Sequence, residues 1–235
     1  LVPQGQGDAV PSLGLAIVAA VIVTLGIVWS VNLHNFMDGI DGLLTLQALF
    51  VFCTLGVLLI GYGDGVQGRQ LLAWAAACAG FLPFNFPRAR IFMGDVGSGA
   101  LGLLVAVAPP WQVGTPGIAA AIGFVLCSAF IVDATCTLLL RMLCGRRWYS
   151  AHREHLYQWL VRRGGSHART VTLYMAWNLL IVLPVVYWMN RSPEARASTG
   201  ISAAAALYAV GVVLWWSGKR ACLLQACARR PHAVA

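Results

Sequence analysis

Apolar residues fill seven long runs of the chain, and short polar stretches separate these runs. The runs have soft edges at 10–31, 43–61, 70–86, 97–113, 116–141, 169–189 and 199–217. Apolar runs of about 18 or more residues are typical of membrane-spanning helices. The pattern therefore predicts an all-α fold, a polytopic transmembrane helix bundle of about seven spans that forms one integral membrane domain over residues 1–235.

The composition agrees with this interpretation. Hydrophobic residues make up 59% of the chain and charged residues only 10%, and the mean hydropathy is +0.75. A soluble domain carries about a quarter charged residues, so this chain lacks the charge needed to cover a water-facing surface. The third and fourth runs are the weakest, because they are short or contain Pro83, Pro109 and Pro110.

Positive charge gathers on one side of the predicted membrane domain. If the spans alternate in direction, four polar segments share one side of the membrane, namely 32–42, 87–96, the basic loop 142–168 and the tail 218–235. With the run-edge residues Arg141 and Arg169, that side carries thirteen of the sixteen Lys and Arg residues. Short loops rich in Lys and Arg face the cytoplasm, so we expect this side to be cytoplasmic. Anionic lipid and an anionic substrate both explain the charge.

The first polar segment, "NLHNFMDGIDGLL", occupies 32–44 between two apolar runs. It places Asn32, Asn35, Asp38 and Asp41 three residues apart, and side chains with this spacing are neighbours on a helix. Carboxylates at a membrane interface are unfavourable unless they are paired, protonated or bound to a cation. The segment indicates a metal, nucleotide or acid–base site, with simple capping of a helix end as the alternative.

The second polar segment, "FNFPRARIFMGDVGSGALG", occupies 84–102. It supplies the cations Arg88 and Arg90 and then a glycine-rich loop that contains Asp95. Glycine-rich backbone at a helix N-terminus suits phosphate, and an aspartate there suits a divalent cation that bridges phosphates. The alternative for Asp95 is an N-cap of the next helix.

The third segment, 151–170, is basic and contains His155 and Arg153. His155 is a candidate for phosphate contact or proton transfer, and Arg153 for phosphate contact, although topology explains the arginines about as well. His152 and His167 are expected to be solvated loop residues. Asp133 lies within an apolar run, where an ionisable side chain is usually functional, so we expect it to serve or support the site. The alternative is that it only snorkels or forms a hydrogen bond near this end of the span.

Together these segments resemble the polyprenyl-phosphate sugar-1-phosphate transferases of glycosyltransferase family 4, which include phospho-MurNAc-pentapeptide translocase and the N-acetylglucosamine-1-phosphate transferases. The first segment is similar to the family's N-x-x-N-x-x-D-G-x-D-G-L, and the second to F-N-x-x-P-A-x-(I/V)-F-M-G-D-x-G-S, with Arg88 in place of a small residue. Asp133 to Arg141 resembles its D-T-x-x-x-x-x-R. The stretch "HREHLYQ" is closest to the branch that initiates O-antigen and similar polysaccharides.

The resemblance implies an enzyme that transfers an N-acetylhexosamine-1-phosphate from a UDP-sugar to undecaprenyl phosphate and releases UMP. It implies Mg²⁺, with Mn²⁺ as an alternative, held by Asp95. It also implies catalytic roles for Asp38, Asp41 and His155. The expected substrate contacts are Asn32, Asn35, Arg88, Arg90 and Arg153.

The implied setting is the bacterial cytoplasmic (inner) membrane, with membrane lipid as a partner, the active-site loops in the cytoplasm and no nucleic-acid partner. The product would begin O-antigen or cell-wall polysaccharide synthesis. A homodimer is a further candidate partner, and the resemblance implies the sugar only as an N-acetylhexosamine.

One family feature is missing, because only Asp8 precedes the first motif where relatives carry an aspartate pair. We therefore expect that the chain belongs to a longer protein and is inactive alone. A non-catalytic remnant and a membrane transporter are the alternatives. A transporter is less favoured, because its binding site would lie near the membrane midplane rather than at one edge.

Overall fold

The computed structural model describes residues 13–108, 116–147, 149–150, 152–191 and 198–228. These residues form helices and no strands, which confirms the all-α prediction. The helices are α1 Leu13–Met37, α2 Leu43–Gly61, α3 Gly65–Asn85, α4 Gly94–Val107, α5 Pro116–Leu126, α6 Ser128–Leu143, α7 Leu156–Arg162, α8 His167–Trp177, α9 Leu183–Arg191 and α10 Ser198–Ala228, with a π-helical turn, Asn178–Val182, joining α8 to α9.

Four helical stretches are long and apolar enough to cross a membrane, namely Leu13–Met37, Leu43–Gly61, His167–Asn190 and Gly200–Cys222, and α4 is a shorter apolar helix. The described residues of all seven predicted runs lie almost entirely on helices, and the run 43–61 coincides with α2. The run 116–141 differs from the prediction because it forms two helices, which meet at Cys127. Uniform hydrophobicity cannot reveal such a break, since every residue around it is apolar or small.

A buried polar network accompanies this break. The Leu126 carbonyl accepts a hydrogen bond from Gln47 Nε2 (3.0 Å), and Gln47 Oε1 accepts one from Asn178 Nδ2 (2.7 Å). Trp177 Nε1 donates to Ser128 Oγ at 3.1 Å. Backbone groups freed by a break inside a membrane protein need such partners. The network therefore joins α2, the α5–α6 junction and the π-helical turn.

Small residues allow two helix pairs to approach closely. A Cβ at Gly68 of α3 would lie 2.8 Å from the Gly56 carbonyl oxygen of α2. A Cβ at Gly102 of α4 would lie 2.8 Å from Val31 Cα of α1, and Ser30 Oγ donates to the Gly102 carbonyl at 2.8 Å. Close backbone contact through small residues is the usual way in which helices associate in lipid. The α1–α4 contact brings the end of α1 beside the start of α4.

An apolar cluster packs against the polar segments on the side of the bundle interior. It contains residues from α1, α2, α6, α7 and α8, including Met37, Leu43, Phe130, Tyr157 and Tyr174. By contrast, the most apolar 18-residue window of α1 has none of its residues buried, while the corresponding window of α2 is 61% buried. The start of α1 thus presents its side chains outward, and the end of α1 is packed into the bundle.

Candidate active site

The first and second polar segments meet directly. Asn35, in the last turn of α1, accepts a hydrogen bond through Oδ1 from Ser98 Oγ of α4 at 2.7 Å. Ser98 is fully buried, and it lies three residues after Asp95 in the same helix. The sequence did not single out Ser98, although it belongs to the quoted G-S motif. This contact holds the turn around Asp38 close to the start of α4.

Asp38 and Asp95 lie close enough for the charge of Asp95 to act on the Asp38 carboxyl group. Burial, and then the negative charge of Asp95, raise the pKa of Asp38 from 3.8 to about 7. Asp95 itself is exposed and lies in the first turn of α4. Two neighbouring carboxylates, one of them costly to ionise, are a setting that a divalent cation would stabilise. The residues present therefore fit a Mg²⁺ ion.

No group of three or more His, Cys, Asp or Glu side chains forms a metal-binding cluster within the part of the chain that the structure describes. Mg²⁺ commonly binds through one or two carboxylates and keeps water and substrate phosphate as its other ligands. The Asp38–Asp95 arrangement corresponds to that simpler mode of binding.

Asp41 connects three elements. Its Oδ2 accepts a hydrogen bond from the Ala89 N–H at 3.2 Å and lies 3.1 Å from His167 Nδ1, at the start of α8. Asp41 therefore contacts the loop that carries Arg88 and Arg90. The prediction that His167 is merely a solvated loop residue is wrong, because the fold places it against Asp41.

Asn85 is a second residue that the sequence analysis missed. Its Oδ1 accepts from the Gly42 N–H (3.1 Å) and from Thr45 Oγ1 (2.8 Å), and its Nδ2 donates to the Ile91 carbonyl (3.1 Å). Gly42 has φ 77°, and a Cβ there would lie 2.6 Å from the Phe86 ring. Asn85 thus fixes the two polar segments to each other. In the sequence, the F-N pair of the second polar segment was the feature that could have identified it.

The arginines and Asn32 remain predictions as substrate contacts. Arg90 turns back towards α3, where its Nη2 donates to the Pro83 carbonyl at 3.2 Å. Arg88 and Arg153 are exposed. Asn32 is also exposed, and its Nδ2 donates to the Val28 carbonyl of its own helix at 2.8 Å.

Asp133 anchors the start of α7. Its carboxylate accepts five hydrogen bonds, from the backbone N–H groups of Leu156 (2.7 Å) and Tyr157 (3.2 Å), Tyr174 Oη (2.7 Å), Trp215 Nε1 (3.0 Å) and Thr137 Oγ1 (3.3 Å). A carboxylate that accepts from the first N–H groups of a helix acts as its cap. The alternative that Asp133 only snorkels is therefore excluded in this fold, because the side chain is buried and its hydrogen bonds join α6, α7, α8 and α10.

His155, the residue before α7, is placed by this anchor. Its ring lies between those of Phe36 (6.1 Å between centroids) and Tyr157 (5.8 Å), and 3% of the residue is exposed. Tyr157 Oη donates to the Phe36 carbonyl at 2.9 Å. Burial lowers the pKa of His155, an effect that the Asp133 carboxylate opposes. The third polar segment therefore reaches the end of α1, beside Asp38.

The candidate residues of all three segments thus gather at one end of the bundle. Asp38, Asp41, Asp95 and His155 lie on loops or helix termini that contact each other through Asn35–Ser98, Asp41–Ala89 and Tyr157–Phe36. The arrangement offers two carboxylates for a cation and a neighbouring imidazole for an anionic group. These are groups that stabilise the charge of a reacting phosphate.

Comparison with known proteins gives consistent similarities. Residues 6–109 match the family described as Glycosyl transferase family 4. The decaprenyl-phosphate N-acetylglucosaminephosphotransferase of Mycobacterium leprae is 34% identical over 183 residues, 68% of this chain and 46% of the relative. Its counterpart in Mycobacterium tuberculosis strain H37Rv is 35% identical over 182 residues, 68% of this chain and 45% of the relative.

A phospho-N-acetylmuramoyl-pentapeptide-transferase of Moorella thermoacetica is 30% identical over 176 residues, 72% of this chain and 52% of the relative. The chain spans about half the length of the curated relatives it matches. No solved structure matches it.

Proposed function

Because this chain belongs to glycosyl transferase family 4, we propose that it is part of an enzyme that transfers N-acetylhexosamine-1-phosphate from a UDP-sugar to undecaprenyl phosphate and releases UMP. The observation that carries the proposal is the meeting of the Asp38 turn with the Asp95 helix start, through Asn35 and Ser98. Phosphoryl transfer between two anions requires concentrated positive charge at the reacting phosphorus. The Asp38–Asp95 pair is suited to bind a cation that supplies this positive charge.

Asp95 is the proposed Mg²⁺ ligand, and Mn²⁺ is an alternative ion. When bound, the ion would offset the charge of the substrate phosphates. Asp38, with its pKa near 7, is suited to exchange a proton or to accept a hydrogen bond from the substrate. Asp41 holds the Ala89 loop in place. We propose that this loop presents Arg88 to the nucleotide or diphosphate.

An apolar groove leads away from this end of the bundle. It has a volume of about 480 Å³ and is lined by α2, α3, α4 and the segment before α4, including Trp74, Met93, Gly97 and Leu104. Gly97 is two residues from Asp95, so a lipid phosphate near the cation would have its chain beside the groove. We propose that undecaprenyl phosphate places part of its tail here.

The proposed setting is the bacterial inner membrane, with the active-site loops in the cytoplasm, where UDP-sugars are available. According to their names, the relatives described above transfer N-acetylglucosamine phosphate to decaprenyl phosphate or transfer phospho-N-acetylmuramoyl-pentapeptide. We propose that this enzyme likewise begins a lipid-linked cell-surface polysaccharide, of the O-antigen or cell-wall class.

The deciding experiment measures UMP release and lipid-linked product from radiolabelled UDP-N-acetylhexosamines in membranes that contain the full-length gene product. Transfer should depend on Mg²⁺ and fall by at least 100-fold in Asp95→Asn, because a ligand of the charge-neutralising ion is lost. Asp64→Asn is the matched control, since Asp64 only caps α3 at the far end by accepting from the Gln67 N–H.

Two outcomes would contradict the proposal: no transfer with any UDP-N-acetylhexosamine, or normal Mg²⁺ dependence in Asp95→Asn. We further propose that residues 1–235 by themselves give no detectable transfer. They span about half the length of the relatives, and none of the residues in the most apolar window of α1 is buried within the described structure. Robust transfer by the 235 residues would refute this part alone.

A further inference from the structure

A second apolar groove lies between α8 and α10, and α6 and α7 also line it. Its volume is about 340 Å³. Leu173 of α8 and Leu214 of α10 line it and are 58% and 54% exposed, so the groove is open between these two helices. Both helices belong to stretches that are long and apolar enough to cross a membrane. The opening of this α8–α10 groove therefore faces membrane lipid.

The polar side chains in the wall of the α8–α10 groove already have partners. Tyr174 Oη and Trp215 Nε1 donate to the Asp133 carboxylate at 2.7 and 3.0 Å. Trp177 Nε1 donates to Ser128 Oγ at 3.1 Å. The other lining residues are apolar or glycine. A polar ligand such as a nucleotide would lose its hydration here without gaining hydrogen bonds, whereas a hydrocarbon chain has no such hydration to lose.

The length of the α8–α10 groove matches one leaflet of a bilayer. Gly211 and Gly218 of α10 line it, and Lys219 follows them at the site end, where it donates to the Glu154 carbonyl. From Gly211 to Lys219 the helix advances by about 12 Å, at about 1.5 Å per residue. One leaflet contributes about 15 Å of hydrocarbon, half of the bilayer core. A phospholipid acyl chain therefore suits the groove better than a polyprenyl tail, which is much longer.

At the site end of the groove, three helices each carry a cation one turn beyond a lining residue. Side chains three or four positions apart lie on the same face of a helix. The pairs of lining residue and cation are Leu160 and Arg163 in and just after α7, Leu173 and Arg169 in α8, and Trp215 and Lys219 in α10. Arg163 Nη1 lies 3.8 Å from Cys222 Sγ of α10, so the end of α7 contacts the end of α10. The three cations thus surround one mouth of the groove.

The charge at this mouth is not neutralised by carboxylates. Neither Arg169 nor Lys219 forms a salt bridge with a carboxylate among the described residues, and Glu154 is already paired with two arginines, at 2.9 and 3.0 Å. Lys219 is only 5% exposed, and its ammonium group contacts a backbone carbonyl and two indole rings. Arg169 lies in the first turn of α8, where the helix dipole disfavours a cation. A negative charge at the mouth would stabilise both side chains.

We propose that the α8–α10 groove binds one anionic phospholipid from the leaflet at the site end. An acyl chain occupies the groove, and the headgroup phosphate lies at Arg163, Arg169 and Lys219. Basic residues at the cytoplasmic surface of a membrane attract anionic lipids in this way. The lipid would join α7, α8 and α10. The proposal does not rest on the proposed function, because it requires only that the bundle spans a membrane.

Lipid binding to the delipidated full-length protein in detergent tests the charge at the mouth. Native mass spectrometry measures the dissociation constants of phosphatidylglycerol and of phosphatidylcholine with the same acyl chains. We expect phosphatidylglycerol to bind about tenfold more tightly or better. Arg169→Gln should weaken phosphatidylglycerol binding by about fivefold and leave phosphatidylcholine binding unchanged. Arg220→Gln is the matched control, because Arg220 is exposed two positions after Gly218, on another face of α10.

A second pair of variants tests the groove itself. Leu173→Trp should fill the opening and weaken the binding of both phospholipids by about tenfold or more, because the acyl chain loses buried methylene groups. Val213→Trp is the matched control, since Val213 of α10 is 63% exposed and does not line the groove. The unfolding temperature of each variant shows that it is folded.

Equal affinity for phosphatidylglycerol and phosphatidylcholine would overturn the proposal, and so would equal effects of Arg169→Gln and Arg220→Gln. Equal binding by Leu173→Trp and Val213→Trp would show that the groove is not the site. Displacement of phosphatidylglycerol by an equal concentration of undecaprenyl phosphate would assign the groove to the lipid substrate instead. None of these measurements requires turnover, so the site stands or falls independently of the transfer reaction.

Discussion

At the scale of single residues, Asp38 shows how the fold changes the chemistry of one side chain. Its spacing from Asn35 and Asp41 predicts a polar site, but its raised pKa depends on burial and on Asp95, which is 57 positions away in sequence. An acid whose pKa is about 7 in the folded state and 3.8 in the unfolded state keeps its proton up to a higher pH when folded. The stability of the folded state therefore falls as the pH rises from about 4 to about 7.

The prediction is that Asp38→Asn, which cannot ionise, is more heat-stable than the wild type at pH 8 without divalent cations. Because Asp38 is partly exposed, we expect about 1 kcal/mol, or an increase of about 2–4 °C in the unfolding temperature. The same variant should lose most transfer activity. Circular dichroism in detergent at pH 4 and pH 8 measures the difference, which should vanish near pH 4.

Asp64→Asn is the control, because it removes a carboxylate at the opposite end and should lower the unfolding temperature through loss of the α3 cap. Asp95→Asn should raise the temperature at pH 8, since it removes the charge that acts on Asp38. Equal stability of the wild type and Asp38→Asn at pH 8 would refute the role of burial and repulsion at this site.

At the scale of elements, α7 is a helix of seven residues that owes its place to contacts with other helices. Asp133 caps its start, and Tyr157 packs against the turn after α1. A Cβ at Gly39 would lie 2.1 Å from Tyr157 Oη and 3.0 Å from Tyr157 Cζ. The absence of a side chain at Gly39 is therefore what allows the histidine loop to approach the Asp38 turn.

We predict that Gly39→Ala destabilises the protein by about 1–3 kcal/mol, because the added methyl group overpacks this contact. Tyr157→Phe removes the closest atom, so the double variant should be more stable than Gly39→Ala alone and should regain part of its transfer activity. A double-mutant cycle of unfolding temperature and kcat/KM measures the coupling.

Gly80→Ala serves as the matched control for this cycle, since nothing lies within 4 Å of a Cβ at that position in α3. It should be neutral or slightly stabilising, as alanine usually is within a helix. Additive effects of the two changes at Gly39 and Tyr157 would show that α7 does not depend on this approach.

At the scale of the whole molecule, the helix ends separate into two groups. The ends that carry the site are joined by the contacts of Asp41, Asp133 and Asn35, whereas the end of α9 and the turn after α2 meet through Asn190 and Tyr62. This division agrees with alternating spans. It places the basic loop 142–168 at the site end, as the distribution of Lys and Arg predicts.

Cysteine labelling of intact cells tests this orientation. Single cysteines at Gly65 and Pro193 should react with a membrane-impermeant maleimide. One at Ser166 should react only after permeabilisation, because the proposed topology puts it in the cytoplasm with the site. The exposed native Cys144 is replaced by serine in all three variants to remove background. Pro193 lies outside the described residues, so its placement here rests on the sequence. Labelling of Ser166→Cys in intact cells would show that the orientation is the opposite one, with the site on the side of the membrane that lacks UDP-sugars.

The sequence by itself determined the features that depend on local chemistry and spacing. Apolar run length is sufficient to predict helices such as α2, since lipid leaves the backbone few alternatives. The spacing of Asn35, Asp38 and Asp41 indicates a polar site because three-residue separation is local. The resemblance of the motifs to one family was confirmed by the comparisons.

Only the tertiary structure decided which distant residues meet. Nothing in the local sequence around Asn85, Ser98 and His167 shows which residues they contact, and their roles arise from partners 40 to 126 positions away. Beside the break at Cys127, the Leu126 carbonyl has its hydrogen-bond partner, Gln47, in another helix. His152 differs from a solvated histidine because the rings of His155 and of Phe36 in α1 lie beside it. Packing across the bundle sets these contacts, and no pattern along the chain encodes them separately.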